Sequence, residues 1–155
     1  MAIWCAMTAE DAAFAAELGL AIYPHLPESE ASFAAKFAAA PEACRVAYGD
    51  DGTRVGYCVA LWAELGRPPK LDDAAYVPRA RECLHLHDLA LAPSARGQGL
   101  VAQAVAHLRG VAGALPLTLV AVNGSAKLWR RFGFVEIPGA AASYGADALY
   151  MRRDP

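Results

Sequence analysis

The chain is 155 residues long, 56% hydrophobic and close to neutral, with a formal net charge of −2. That suits one globular domain spanning residues 1–155, supplies enough apolar content for a core, and excludes a disordered or strongly basic nucleic-acid-binding chain. No apolar run reaches the ~20 residues of a membrane span, and no basic segment followed by an apolar run opens the chain, so a cytoplasmic protein without membrane contact is expected.

Residues 3–7 read as a short strand. Thr8, followed by Glu10 and Asp11, looks like an N-cap with acidic residues in the first turn, opening a helix to about Ile22. Pro24 and Pro27 break it. A second helix starts at Glu28 or Ser29, carries Phe33 and Phe37 on one face, and ends at Pro41. Residues 45–48, a turn over 49–52 and residues 54–62 form a hairpin. The proline-rich stretch 66–79 is a loop with room for a helical turn. Strand 83–91, helix 100–109, strand 117–122, helix 125–132 and a last strand near 149–152 follow. Cys5, Cys44, Cys58 and Cys83 stand far apart without a CxxC pair, and most read as buried free thiols in a reducing compartment. His25 and His107 read as surface residues, and Trp4 as core.

The stretch Leu89-Ala-Leu-Ala-Pro-Ser-Ala-Arg-Gly-Gln-Gly-Leu-Val101 is the most informative. A strand, a short turn and two close glycines lead into a helix. The first amides of a helix lack partners within it, and they point where the helix dipole favours negative charge. Gly97 and Gly99 let an anion approach the backbone closely, and Arg96 adds positive charge. Such a turn is a cradle for a pyrophosphate. It is not a P-loop, which needs GxxxxGK[ST], and it stands too late for the dinucleotide GxGxxG.

Arg96-Gly97-Gln98-Gly99-Leu100-Val101 resembles the [QR]xxGx[GA] acyl-CoA motif of the GNAT superfamily of N-acetyltransferases, with Val101 where that family has Gly or Ala. Asn123-Gly-Ser-Ala-Lys-Leu-Trp-Arg-Arg-Phe-Gly-Phe134 resembles its later N…A…[FL]Y…GF block, and the order β-α-α-β-β-β-α-β-α-β is similar to that fold. The resemblance implies an α/β (α+β) fold, with a central mixed, mostly antiparallel sheet and flanking helices. It implies acetyl-CoA as cosubstrate and no metal. Leu89, Ala90 and Leu91 would meet the pantetheine arm between two splayed strands. Arg96, Gly97, Gln98, Gly99, Leu100 and Val101 would hold the pyrophosphate, with Asn123 and Trp129 beside the pantetheine. Members of that superfamily often pair as homodimers, an expectation carried over with the resemblance.

In Leu84-His-Leu-His-Asp-Leu-Ala-Leu91, alternation sends His85 and His87 to one face and Leu86 and Asp88 to the other, unless a bulge changes the phase. An alkylamine with a pKa of about 10 is almost wholly ammonium at pH 7, so a base with a pKa near ~6.5 has a task. The pattern His-Leu-His-x-Leu-Ala-[LV] resembles the arylalkylamine (serotonin) N-acetyltransferases, and Leu128-Trp-Arg-Arg-Phe-Gly-Phe134 parallels their Phe-Tyr-x-x-Phe-Gly-Phe. This implies proton removal through His85 and His87, from a small primary amine. It also sets Trp129 where a tyrosine usually protonates the departing thiolate, which indole cannot do. Tyr144, in the exposed-looking loop Ser143-Tyr-Gly145, is the expected acid, ahead of Tyr150. Tyr23, Trp62 and Asp88 are the expected acceptor contacts, in and around a loop between the first helices that also holds Pro24 and Leu26.

Each of these residues has a plainer reading. A strand histidine is often a satisfied, half-buried side chain, Asp88 pairs structurally, and Trp62 is core. A zinc site from His85 and His87 lacks a third ligand at a suggestive spacing. Two alternatives stay open for the whole chain. One is acylation of a protein N-terminus, a lysine or an antibiotic amine. The other is an acyl-CoA-binding module without turnover, which Val101 and Trp129 motivate.

Overall fold

The computed structural model describes residues 1–139 and 144–155. Among the described residues seven strands form one sheet: β1 (Ile3–Ala6), β2 (Arg45–Tyr48), β3 (Arg54–Ala63), β4 (Cys83–Leu91), β5 (Leu117–Ala121), β6 (Val135–Glu136) and β7 (Leu149–Arg153). Their spatial order is β1-β2-β3-β4-β5-β7-β6. Every neighbouring pair is antiparallel except β4 with β5. The helices are α1 (Ala12–Ile22), α2 (Glu30–Ala39), α3 (Leu100–Ala112) and α4 (Ala126–Arg131). The expected mixed, mostly antiparallel sheet with flanking helices is therefore present, with β6 as an added edge strand.

Both faces of the sheet are covered. Ala12 and Ala15 of α1 and Phe33 of α2 pack on Val46, Tyr57, Val59 and Ala90. On the other face Ala104, Val105 and Leu108 of α3, with Ala126 of α4, pack on Leu84, Leu86, Leu117 and Leu119. Gly19 lets α1 lie close to the sheet, because a Cβ there would fall 2.7 Å from the Tyr57 hydroxyl. Cys44, Cys58 and Cys83 are buried free thiols within these layers.

Local chemistry explains the boundaries. The Ser29 hydroxyl accepts from the Ser32 amide at 3.1 Å and caps α2. α1 begins later than expected. Residues 9–11 form a 3-10 turn, in which the Asp11 carboxylate accepts from the Thr8 amide at 2.8 Å and pairs with Arg54 at 2.7 Å. Residues 66–79 hold turns and no helical segment, since Pro68, Pro69 and Pro78 withdraw amide donors. Side chains fix this stretch instead: the Asp73 amide donates to Ser32 Oγ at 2.8 Å and the Tyr76 hydroxyl to the Trp62 carbonyl at 2.9 Å. No helix among the described residues is long and apolar enough to cross a membrane.

Two irregularities in β4 create the site. Val59 of β3 faces Asp88 and Ala60 faces Leu86, so His87 has no partner across the ladder. This is a bulge, and it changes the phase of the strand. Further, β4 pairs with β5 only at Leu84↔Leu117, His85↔Thr118 and Leu86↔Leu119. From there on, Leu89, Leu91, Val120 and Val122 border open space.

Candidate active site

That space is a cavity of about 370 Å³, within the range of small-molecule sites. Val120, Val122, Asn123, Ser125 and Trp129, from β5 to α4, line one side. Tyr23, Leu26, Glu28, Leu71, His87, Asp88 and Tyr144 line the side under α1 and α2, and Arg96 lies on the wall where the chain turns into α3.

The turn before α3 has the form of an anion cradle. Gly97 and Gly99 have φ of +72° and +75°, and no atom lies within 4 Å of where either Cβ would stand. The backbone conformation, not crowding, requires glycine there. The α3 ladder begins with the Gln103 amide on the Gly99 carbonyl at 3.1 Å, so the amides of the preceding turn stand outside it. The Gln98 side chain braces the turn: its oxygen accepts from the Ala2 amide at 2.7 Å and its amide donates to the Ser94 carbonyl at 2.9 Å. Leu100 is buried, its carbonyl accepting from Trp4 Nε1 at 2.9 Å, and Val101 packs on the core rather than into the cavity. Open space, free amides and the Arg96 guanidinium fit the diphosphate of an acyl-CoA.

The bulge turns two consecutive residues, His87 and Asp88, toward α1 and α2. His87 Nε2 lies 2.6 Å from Glu28 Oε1, and its ring meets Phe33 edge-on with centroids 6.4 Å apart. Glu28 Oε2 accepts from Ser32 Oγ and from Lys36 Nζ, each at 2.7 Å. Lys36 Nζ also donates to the carbonyls of Lys70 and Leu71, at 2.6 and 2.7 Å. Three acceptors need three N–H groups, so the buried lysine is an ammonium. Burial pushes the Glu28 carboxyl up, but His87 and Lys36 outweigh it and hold the group below its ordinary value. The Asp88 carboxyl accepts from the Tyr57 hydroxyl at 2.6 Å, and burial raises it to about 6 against the opposing pull of His87 and Tyr57. The Tyr23 hydroxyl donates to the Leu89 carbonyl at 2.9 Å, and burial with the nearby Asp88 raises that phenol to about 12.

Residues 8–134 match the model of the acetyltransferase (GNAT) family. The chain belongs to this family. It is a GNAT N-acetyltransferase that uses acetyl-CoA. Among solved structures, Ard1 from Thermoplasma volcanium superposes with a TM-score of 0.72 at 14% identity, covering 99% of this chain and 97% of its own. Naa50 of Arabidopsis thaliana, in complex with the bisubstrate analogue CoA-Ac-MVNAL, gives 0.70 at 15% identity over 99% and 98%. A phosphinothricin acetyltransferase from Sinorhizobium meliloti in complex with AcCoA gives 0.66 at 23% over 99% and 88%. These likenesses establish the fold. No curated protein matches the chain in sequence.

Several expected site residues of this GNAT domain stand elsewhere. His85 does not join His87 on the cavity wall. It precedes the bulge, where β4 is paired on both sides, and is 1% exposed. Its Nδ1 lies 2.9 Å from Thr118 Oγ1, its Nε2 has no partner, and burial holds it well below the ordinary histidine value. Asp88 shares the His87 face rather than opposing it, because the bulge resets the alternation. Trp62 is core: strand alternation sends it with Cys58 and Ala60 toward α3. Its Nε1 donates to Glu42 Oε1 at 2.9 Å and the Arg81 guanidinium covers its ring at 3.7 Å. Ala90 is buried in the α1–α2 layer and forms no part of the cavity wall.

Tyr144 lines the cavity, but it is buried rather than open, at 8% exposure; Ser143 lies outside the described residues. Its hydroxyl donates to the Pro69 carbonyl at 2.8 Å and lies 3.4 Å from His87 Nδ1. Burial pushes this phenol up, so it stays neutral. Tyr150 instead accepts from the Gly66 amide at 3.0 Å, away from the cavity. The His87 imidazole has no exposed surface, and Tyr144 is the cavity-wall group beside its Nδ1. Among the described residues no cluster of three or more His, Cys, Asp or Glu is arranged to hold a metal ion.

Glu28 and Lys36 were not anticipated as site residues. A signal for them exists in the sequence. Lys36 falls on the apolar stripe of α2, three residues after Phe33 and four after Ser32 on one helix face, and Glu28 stands just before the Ser29 cap. A lysine on a buried face needs a carboxylate.

Proposed function

We propose that this GNAT enzyme passes an acetyl group directly to the primary amine of a small molecule with an apolar body, such as an arylalkylamine, and that His87 receives the ammonium proton by way of the Tyr144 hydroxyl beside its Nδ1. The observation that carries the reading is the His87–Glu28 pair at 2.6 Å, set in the wall of a cavity of about 370 Å³. Tyr23, Leu26, Leu71 and Tyr144 bound the part of this cavity left for the acceptor beside the acyl arm, which suits a small amine. A folded protein substrate needs an open groove instead.

Bound acetyl-CoA supplies an activated thioester. Arg96 and the turn formed by Gly97, Gln98, Gly99, Leu100 and Val101 hold its diphosphate, chiefly through backbone amides. The main chain of Leu89 and Leu91, with Asn123 and Trp129, borders the pantetheine. Asp88 lies next to His87, where a carboxylate draws an ammonium group in. The apolar residues of the cavity would hold acceptor and donor together, and such positioning supplies much of the rate. Tyr144 remains a neutral phenol at the wall, its hydroxyl donating to the Pro69 carbonyl at 2.8 Å. A thiol of pKa about 8.5 leaves without a strong acid.

The Naa50 structure holds a peptide-bearing bisubstrate analogue and the phosphinothricin acetyltransferase holds AcCoA. Their identity to this chain is 15% and 23%, so the acceptor is argued from the cavity. The test is release of CoA thiol across a panel of arylalkylamines, simple alkylamines and N-terminal peptides. Turnover is expected with small apolar amines. Turnover confined to peptides overturns the small acceptor. Acetyl-CoA binding in a calorimeter without release on any amine makes the protein a binding module.

A further inference from the structure

We infer that Glu28, with Lys36 as its counter-ion, is a positioning residue that sets the tautomer of His87, keeping the proton on Nε2 and the lone pair on Nδ1. This rests on His87 being the proton acceptor of the proposed reaction. A carboxylate can only accept, so at 2.6 Å the Nε2 of His87 must donate to Glu28 Oε1. In the neutral ring Nδ1 then carries the lone pair. Its polar neighbour is the Tyr144 hydroxyl at 3.4 Å, whose single proton goes to the Pro69 carbonyl at 2.8 Å. The lone pair is therefore unspent, on the side of the residue that lines the cavity. Without a fixed carboxylate the imidazole is free to carry its proton on either nitrogen, and a proton on Nδ1 leaves no lone pair on the Tyr144 side of the ring.

Lys36 keeps this arrangement in place. Its ammonium bonds Glu28 Oε2 and the carbonyls of Lys70 and Leu71, so the carboxylate is ionised, anchored and tied to the loop that carries Leu71 to the wall. The other titratable groups around the ring are Asp88 and His85 on β4 and Tyr144. None of these contacts Nε2.

Glu28→Gln makes the idea testable through a defined rearrangement. The position of Oε2 faces two donors, Ser32 and Lys36, so the amide oxygen takes that place. The amide N–H₂ then faces His87 Nε2, which has to accept, and the proton moves to Nδ1. Nitrogen-15 spectra of the imidazole, recorded on the full chain above the pH at which the ring loses its charge, read the tautomer directly. The native protein is expected to show the Nε2–H form and Glu28→Gln the Nδ1–H form. In the variant kcat is expected to fall by about 10²–10⁴, the scale of a lost general base, with KM for acetyl-CoA unchanged. A native protein in the Nδ1–H form overturns the inference, as does a Glu28→Gln protein that keeps both tautomer and kcat. Should the variant not fold, the native spectrum decides alone. Full turnover in His87→Gln would sink the reading of His87 as the base while leaving the tautomer result standing.

Discussion

Replacing Lys36 by methionine tests how much the buried charge network stabilises the protein. The side chains of Lys36 and Glu28 are 0% and 3% exposed, and their charged atoms are 2.7 Å apart. Lys36→Met keeps much of the apolar stem but leaves the Glu28 carboxylate without its cation and the Lys70 and Leu71 carbonyls without their donor. Breaking a buried pair from one side costs about 3–5 kcal/mol, a large part of the roughly 5–15 kcal/mol that holds most domains together. For a domain of this size that corresponds to a fall in Tm of about 6–20 °C. The pH dependence has a definite sign. Glu28 is held below its ordinary value of 4.5 in the native state, so its contribution is complete above about 4.5 and disappears as pH falls through the native value. Without Lys36 one of the two charges holding it down is gone, and acid unfolding begins at higher pH. Urea denaturation followed by far-UV circular dichroism, from pH 7 down to pH 3, measures both effects. A loss below about 1 kcal/mol at pH 7, the level of a surface ion pair, together with an unmoved acid limb, would refute the reasoning.

Asp88→Asn is expected to flatten the stability profile between pH 4 and 6. The native carboxyl titrates near 6 rather than 3.8, so charging it costs on the order of 3 kcal/mol as pH rises through that window; equal pH profiles for both proteins count against this. Gly99→Ala meets no steric neighbour but forces a φ of +75° on alanine, at a cost of about 1–2 kcal/mol. Calorimetry should show weakened uptake of coenzyme A, and unchanged affinity removes this turn from the diphosphate site. Trp62→Phe loses the Nε1 bond to Glu42 and should cost on the order of 1 kcal/mol with KM for the amine unaltered. A several-fold rise in KM would return Trp62 to the acceptor pocket.

Most of the element order was legible in the sequence because it rests on short-range rules. Ser29 caps α2, Pro41 stops it, and Gly97 and Gly99 mark the positive-φ turn into α3. α1 differed because Asp11 serves Arg54, forty-three residues away, a partner that no local rule supplies. The 66–79 stretch differed because its order comes from Ser32, Lys36 and Trp62 rather than from a helical ladder of its own. Among site residues, Leu89, Arg96, Asn123 and Trp129 could be placed by motif and Tyr23 by its loop between the first helices, and all five line the cavity. His85 could not, since a period of two assumes an unbroken ladder.

The amino-acid order by itself determined the family, the glycine turn into α3 and the layered sheet, since glycine conformation, helix capping and apolar periodicity act within a few residues of chain. Tertiary structure alone decided which polar groups meet. A single unpaired residue in β4 turned His87 and Asp88 to the same side and left His85 sealed beneath them. It also brought His87 against Glu28, fifty-nine positions earlier. Burial gives that contact its chemistry, because a carboxylate away from water must take its protons from whatever donors the fold brings to it.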